Sequence, residues 1–230
     1  MKKEILQYYK PSDFRGFFLK RYFRFIGIMV AKILSKTSIT PNQLSIFRGL
    51  LLFPTAYLFI LGDYVYTAAG GILVLSVLLL DYVDGRLAVM KSMSSEMGKW
   101  LSCFDNLVVP LSLFGIGVGQ YLKNNNPNFL IAAFVATITF KYLAEIMKEY
   151  RIISKDTNLK IVGKGIKSKI MGNLFYGDYF IITLIFLMSI FNLLDMLLYF
   201  FAIYGTISMI LGFLIFYHKM SKNKLMTKYY

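Results

Sequence analysis

The run GILVLSVLLLDYVDG, residues 71–85, decides how this chain folds. It is apolar almost without a break from Gly71 to Leu80 and then meets two carboxylates, Asp81 and Asp84. Hydrophobic residues make up 57% of the chain and mean hydropathy is +0.58. A soluble domain carries about 45–50% apolar residues, so the composition points to the bilayer. A hydrocarbon core of about 30 Å takes roughly 20 mostly apolar residues per helix. The run therefore reads as the inner part of a membrane helix over about Val65 to Val89, with carboxylates in its last turns.

Similar stretches lie to either side. Upstream, Thr40-Pro41 is a helix start, because proline in the first turn loses no needed donor. The first span runs from about Leu44 to Leu61 and stops at Gly62-Asp63. Downstream come a third span at about Gly98–Leu122, a fourth at about Phe129–Met147, a fifth at about Tyr176–Phe191 and a sixth at about Met196–Tyr217. Before them all, FRGFFLKRYFRFIGIMVAKIL (residues 14–34) mixes Arg15, Lys20, Arg21, Arg24 and Lys32 with apolar residues at helical spacing. That pattern suits an amphipathic helix in the membrane interface. The first residues lack the basic start, apolar core and cleavage site of a signal peptide, so insertion through the spans themselves is expected.

The formal net charge is +14, and its distribution sets the topology. The connections after spans one, three and five carry only Asp63, Lys123 and Asp195. The others hold Arg86, Lys91 and Lys99, then Lys148, Arg151, Lys155, Lys160, Lys164, Lys167 and Lys169. The tail adds Lys219, Lys222, Lys224 and Lys228. By the positive-inside rule both termini are cytoplasmic. The expected fold is an all-α integral membrane protein. It is a single domain over residues 1–230, a six-transmembrane helical bundle with an N-terminal interfacial helix. Because the basic residues follow topology and form no stacking face, nucleic acid is not an expected partner. One cysteine excludes an internal disulfide and one histidine excludes a His-rich zinc site. Cys103, inside an apolar run, is expected to be buried, and His218 closes the last span.

Ionisable residues at the end of a span are costly and mark function. At about 100° per residue, Asp81, Asp84, Gly85 and Ala88 fall within an arc of roughly 100° on one helical face. Two carboxylates with small neighbours can hold a divalent cation and let a bulky ligand reach the backbone. A plainer reading pairs them with Arg86 or Lys91 at the interface. A transporter's coupling-ion site is a third, though such sites lie nearer the bilayer midplane. Arg48, one turn inside the first span, needs an acidic partner.

The segment DYVDGRLAVMKSMSSEMGKWLSCFDN, residues 81–106, resembles the signature of the CDP-alcohol phosphatidyltransferase family, D-x2-D-G-x2-A-R-x8-G-x3-D-x3-D. Asp81, Asp84, Gly85, Ala88 and Gly98 match at the right spacing. Upstream, ITPNQLSIFRGLL resembles the family's Pro-Asn-x-(Ile/Leu)-(Thr/Ser)-x-x-Arg start of the first span, through Asn42 and Arg48. With six spans and an interfacial helix, the resemblance covers nearly the whole chain.

The resemblance implies transfer of a phosphate-linked group from a CDP-activated donor to an alcohol, with release of CMP. It implies a site for Mg2+ or Mn2+, a homodimer among membrane lipids, and a place in the cytoplasmic (inner) membrane of a prokaryote. Asp81 and Asp84 would be metal ligands; Asn42, Arg48, Gly85, Ala88, Gly98 and Ser102 would line the donor. Arg151, Lys164 and Lys167 would meet a phosphate on the acceptor; a topogenic loop against anionic lipid is the other reading of that connection.

The chain departs from the signature at three positions. Val89 stands for the arginine, Ser102 for the third aspartate and Asn106 for the fourth, the general base. A neutral amide is no base. Asp105 is next to it, about 20° from Gly98 on a regular helix, while Asn106 is about 80° away on the other side. Asp105 either replaces the missing metal ligand and base or pairs with a lysine or a second subunit. If it pairs, the acceptor is activated another way; the separate alternative is a non-catalytic member that binds CDP-ligand or lipid as a scaffold or as partner of an active homologue.

Overall fold

Thr40 begins the first long helix with a capping box. Its hydroxyl accepts from the amide of Gln43 and the Gln43 side chain accepts from the Thr40 amide, so two amides that the helix leaves unpaired are satisfied. Pro41 follows in the first turn, where it costs nothing. The helix ends at Gly62, whose φ of +77° is the left-handed cap that glycine adopts without a Cβ penalty.

This computed structural model describes residues 18–156 and 178–222. In chain order its helices are α1 (Phe18–Leu34), α2 (Pro41–Leu61), α3 (Tyr64–Met90), α4 (Glu96–Leu101) and, after a 3-10 turn (Ser102–Phe104), α5 (Asp105–Asn124). Then come α6 (Asn128–Asp156), α7 (Asp178–Ile190) and α8 (Leu194–Lys222). No strand occurs among the described residues.

Among the described residues three stretches, Pro41–Leu61, Glu96–Asn124 and Leu194–Leu214, are long and apolar enough to cross a bilayer; Asn128–Leu143 and Phe180–Ile190 are shorter apolar helices. The outward face of α2 exposes Ile46, Phe47, Leu50, Phe53 and Tyr57. In water such a patch would be an aggregation site; against lipid it is the expected surface.

Helix α3 is the centre of the bundle, packed by α1, α2 and α7, while α5 bridges α2 to α6 and α6 pairs with α8. The core between them is built from Phe59, Val74, Leu113, Ile116, Ile185 and Leu198. Small residues let the backbones close. A Cβ added at Gly71 would lie 2.7 Å from Ser189 Cβ on α7, and one at Gly115 would lie 2.6 Å from the Ala56 carbonyl on α2. The Gly-Gly pair at 70–71 is thus a helix-packing contact, as small residues commonly are in membrane bundles.

Helix α1 buries Phe23, Ile28 and Ala31 and exposes Tyr22, Phe25, Met29 and Ile33. Gly27 lets it pack tightly on α3: a Cβ there would come within 2.8 Å of Tyr82 Cβ. The amphipathic pattern is realised over Phe18–Leu34; residues 14–17 lie outside the described residues.

Helix α6 runs on past the expected span end at Met147 to Asp156, because KEYRIISKD consists largely of residues that tolerate helix. Two expectations need correction. The third span is not one regular helix: Ser95 caps a short α4 and a 3-10 turn interrupts the path at Ser102–Phe104. Cys103, in that turn, is exposed and not buried.

Candidate active site

Arg48 is the buried centre around which the acidic residues gather. It lies on α2, is 2% exposed, and binds carboxylates from two other helices. Nη1 donates to Asp81 Oδ1 and stands 3.4 Å from Asp84 Oδ2, both on α3. Nη2 stands 2.6 Å from Asp105 Oδ1, at the start of α5. Removing charge from water is expensive, so a buried guanidinium persists only with such partners. Its Nε nevertheless finds no acceptor among the described residues.

The carboxylates are exposed to different degrees. Asp84 is 12% exposed and accepts a 2.7 Å bond from the Ser45 hydroxyl, one turn before Arg48. Asp81 and Asp105 are 33% and 37% exposed and form the open side of the cluster. The alternative partner Lys91 is committed elsewhere. Its ammonium donates to the carbonyls of Thr37 and Ile39 at 2.6 and 2.7 Å, tying the α1–α2 connection to the end of α3.

The 3-10 turn carries Asn106 away from the site while Asp105 stays on the Gly98 side. Three residues at about 120° each, in place of 100°, advance the following helix by roughly 60°. Measured from Gly98, Asp105 then falls within about 40° and Asn106 swings to about 140°. Phe104 fixes the turn by packing over Gly49, whose added Cβ would lie 2.9 Å from Phe104 Cδ2. Adjacent residues 48 and 49 on α2 thus hold adjacent residues 105 and 104.

Asn42 and Gly98 are also brought together, through Ser95. The Ser95 hydroxyl donates to Asn42 Oδ1 at 3.2 Å and accepts from the Gly98 amide at 3.0 Å. A side chain at Gly98 would meet Asn42 Oδ1 at 3.2 Å, so the glycine keeps this corner closed. Gly85 is different: nothing lies within 4 Å of where its Cβ would be. Packing does not require glycine there, and the α3 backbone is open to a ligand. Ala88 is half-buried on the same helix and its carbonyl accepts from the Met93 amide.

The remaining predicted positions stand apart from the carboxylates. Ser102 is exposed and its hydroxyl donates to the Lys99 carbonyl at 2.6 Å. The Asn106 side chain is exposed, and its backbone carbonyl accepts from Lys141. Lys164 and Lys167 lie outside the described residues, as does the side chain of Arg151. Ser45 and the pairing of Arg48 with all three carboxylates are what the sequence reading missed. The spacing of Ser45 and Arg48, one turn apart inside an apolar helix, is the signal that could have found them.

The cluster offers oxygen ligands alone, the kind magnesium and manganese take. Three carboxylates (−3) and one guanidinium (+1) leave a formal charge of −2, which one divalent cation balances. The residues therefore fit such an ion in donor type and charge. Among the described residues no group of three or more His, Cys, Asp or Glu is already set to hold one; the guanidinium stands between the carboxylates.

The family model of CDP-alcohol phosphatidyltransferases matches residues 38–218. The chain belongs to the CDP-alcohol phosphatidyltransferase family. This makes it a membrane transferase of lipid synthesis. Among solved structures it is similar to phosphatidylinositol phosphate synthase of Mycobacterium tuberculosis, crystallised with manganese and citrate. The TM-score is 0.54 at 17% identity, covering 82% of this chain and 87% of that one. At that identity the likeness speaks for the fold. No curated protein matches the chain.

Proposed function

We propose that this protein transfers a substituted phosphate group from a CDP-linked donor to the hydroxyl of an alcohol, releasing CMP, in a prokaryotic cytoplasmic membrane. The observation that carries the reading is the convergence of Asp81, Asp84 and Asp105 on buried Arg48, beside the open backbone at Gly85. In this reading residues 1–230 form one domain of six spans, both termini cytoplasmic, with α1 in the interface.

The donor lies along Gly85, Ala88 and Gly98, with Asn42 and Ser102 at its margin. Asp81 and Asp84 would hold a magnesium or manganese ion, with Asp105 as a third carboxylate. When bound there, such an ion would supply positive charge against the diphosphate and the departing CMP. Asp105, more open than Asp84, takes the proton of the acceptor hydroxyl. The freed oxygen forms a new bond to the phosphorus that carries the substituent. The bond from that phosphorus to CMP breaks, and its electron pair leaves with CMP. Arg48 holds Asp105 in position and offers its unpaired Nε to a phosphate oxygen. Arg151, Lys164 and Lys167 are proposed to meet an acceptor phosphate.

The test is CMP release by purified protein given magnesium or manganese, donors of several CDP-linked classes and alcohol acceptors. CMP formation that requires acceptor, donor and metal supports the reading. Folded protein that binds donor yet releases no CMP with any class supports the scaffold reading.

A further inference from the structure

Arg48 and its three carboxylates leave two things unmatched. The cluster carries a formal charge of −2 around a buried guanidinium. Its guanidinium, 2% exposed, also keeps an Nε hydrogen that no described residue accepts. One divalent cation and one anionic oxygen would complete both, which is what a metal–phosphate pair brings.

We propose that Arg48 is a built-in counter-cation of this site. It cancels one of the three carboxylates, so the protein holds Asp81, Asp84 and Asp105 together without metal. In the absence of donor the cluster then takes a single divalent ion per chain. The inference rests on the proposed CDP-dependent transfer for its biological setting, but its physical content is the charge balance alone.

The geometry favours this role over a merely structural one. A guanidinium at the centre of carboxylates from α3 and α5 repels an incoming cation and at the same time stabilises the empty site. Removing its charge should therefore weaken the metal-free fold and strengthen ion binding at once. A packing residue would lose stability with no gain in affinity.

The experiment measures Mn2+ binding by titration and electron paramagnetic resonance, and thermal unfolding with and without Mn2+, in detergent-solubilised full-length protein without donor. Wild type should bind one ion per chain. Arg48→Met should unfold at lower temperature without metal, recover on adding Mn2+, and bind the ion at least tenfold more tightly. Arg48→Lys, which keeps the charge, should stay within a few-fold of wild type. If Arg48→Met fails to fold, Arg48→Met combined with Asp105→Asn carries the test. That pair restores the charge of −2 and should fold without metal and bind one ion.

Two ions bound by wild type, no tighter binding by Arg48→Met, or an unfolded double variant would overturn the proposal. A protein that meets these expectations but releases no CMP keeps this inference and overturns the catalytic reading. One that releases CMP but fails them does the reverse.

Discussion

Asp105 Oδ1 lies 2.6 Å from Nη2 of Arg48, so the residue following the 3-10 turn is fastened to the first long helix. The neighbouring contact, Phe104 over Gly49, holds the turn that precedes it. Gly49→Val should displace Phe104 and with it Asp105, without touching a carboxylate. A misplacement of about 1 Å can cost roughly a hundredfold in rate. CMP release should fall by about that factor while the protein remains folded, as read by circular dichroism and size exclusion. Gly49→Val at wild-type rate would show that the turn does not position the site.

Gly85 separates ligand access from packing. Because nothing stands within 4 Å of its missing Cβ, Gly85→Leu should leave thermal stability unchanged or raise it, since glycine in a helix costs about 0.5–1 kcal/mol relative to alanine. Donor binding should nevertheless be blocked, with KM for the CDP-linked donor rising at least tenfold. Unchanged KM would place the donor elsewhere.

Ser45 supports Asp84 from one turn before Arg48. A hydrogen bond to a charged group is worth about 1.5–3 kcal/mol. Ser45→Ala should lose stability of that order in denaturant unfolding, and Ser45→Thr should keep most of it. Equal stability of Ser45→Ala and wild type would mean that this bond contributes nothing.

Cys103 makes the proposed orientation testable without mutation. It is the single cysteine of the chain and is exposed in the 3-10 turn. With both termini cytoplasmic, a membrane-impermeant maleimide should label inside-out vesicles and spare right-side-out ones. The opposite pattern would invert the topology.

Much of the bundle was legible because length and apolar content fix membrane helices closely. Thr40, Pro41 and Gly62 marked the ends of α2. The far end of α6 was not legible: polarity suggests a helix has left the membrane, but not that it has stopped. In the site, Asp81 and Asp84 stood out as charges inside an apolar helix. Arg48 was known to need an acidic partner, yet which one depended on three helices meeting. The swing of Asn106 away from Gly98 depends on a 3-10 turn, and neither Ser102 nor Cys103 announces one. A regular helix would have kept Asn106 closer to Gly98.

The measurement that tests the account most directly is CMP release by wild type, Asp105→Asn and Asn106→Ala in lipid nanodiscs with saturating manganese. Removing a general base costs about a hundredfold to ten-thousandfold. Asp105→Asn should lose at least a hundredfold in kcat while still binding donor, and Asn106→Ala should stay within a few-fold of wild type. Full activity in Asp105→Asn would contradict the account.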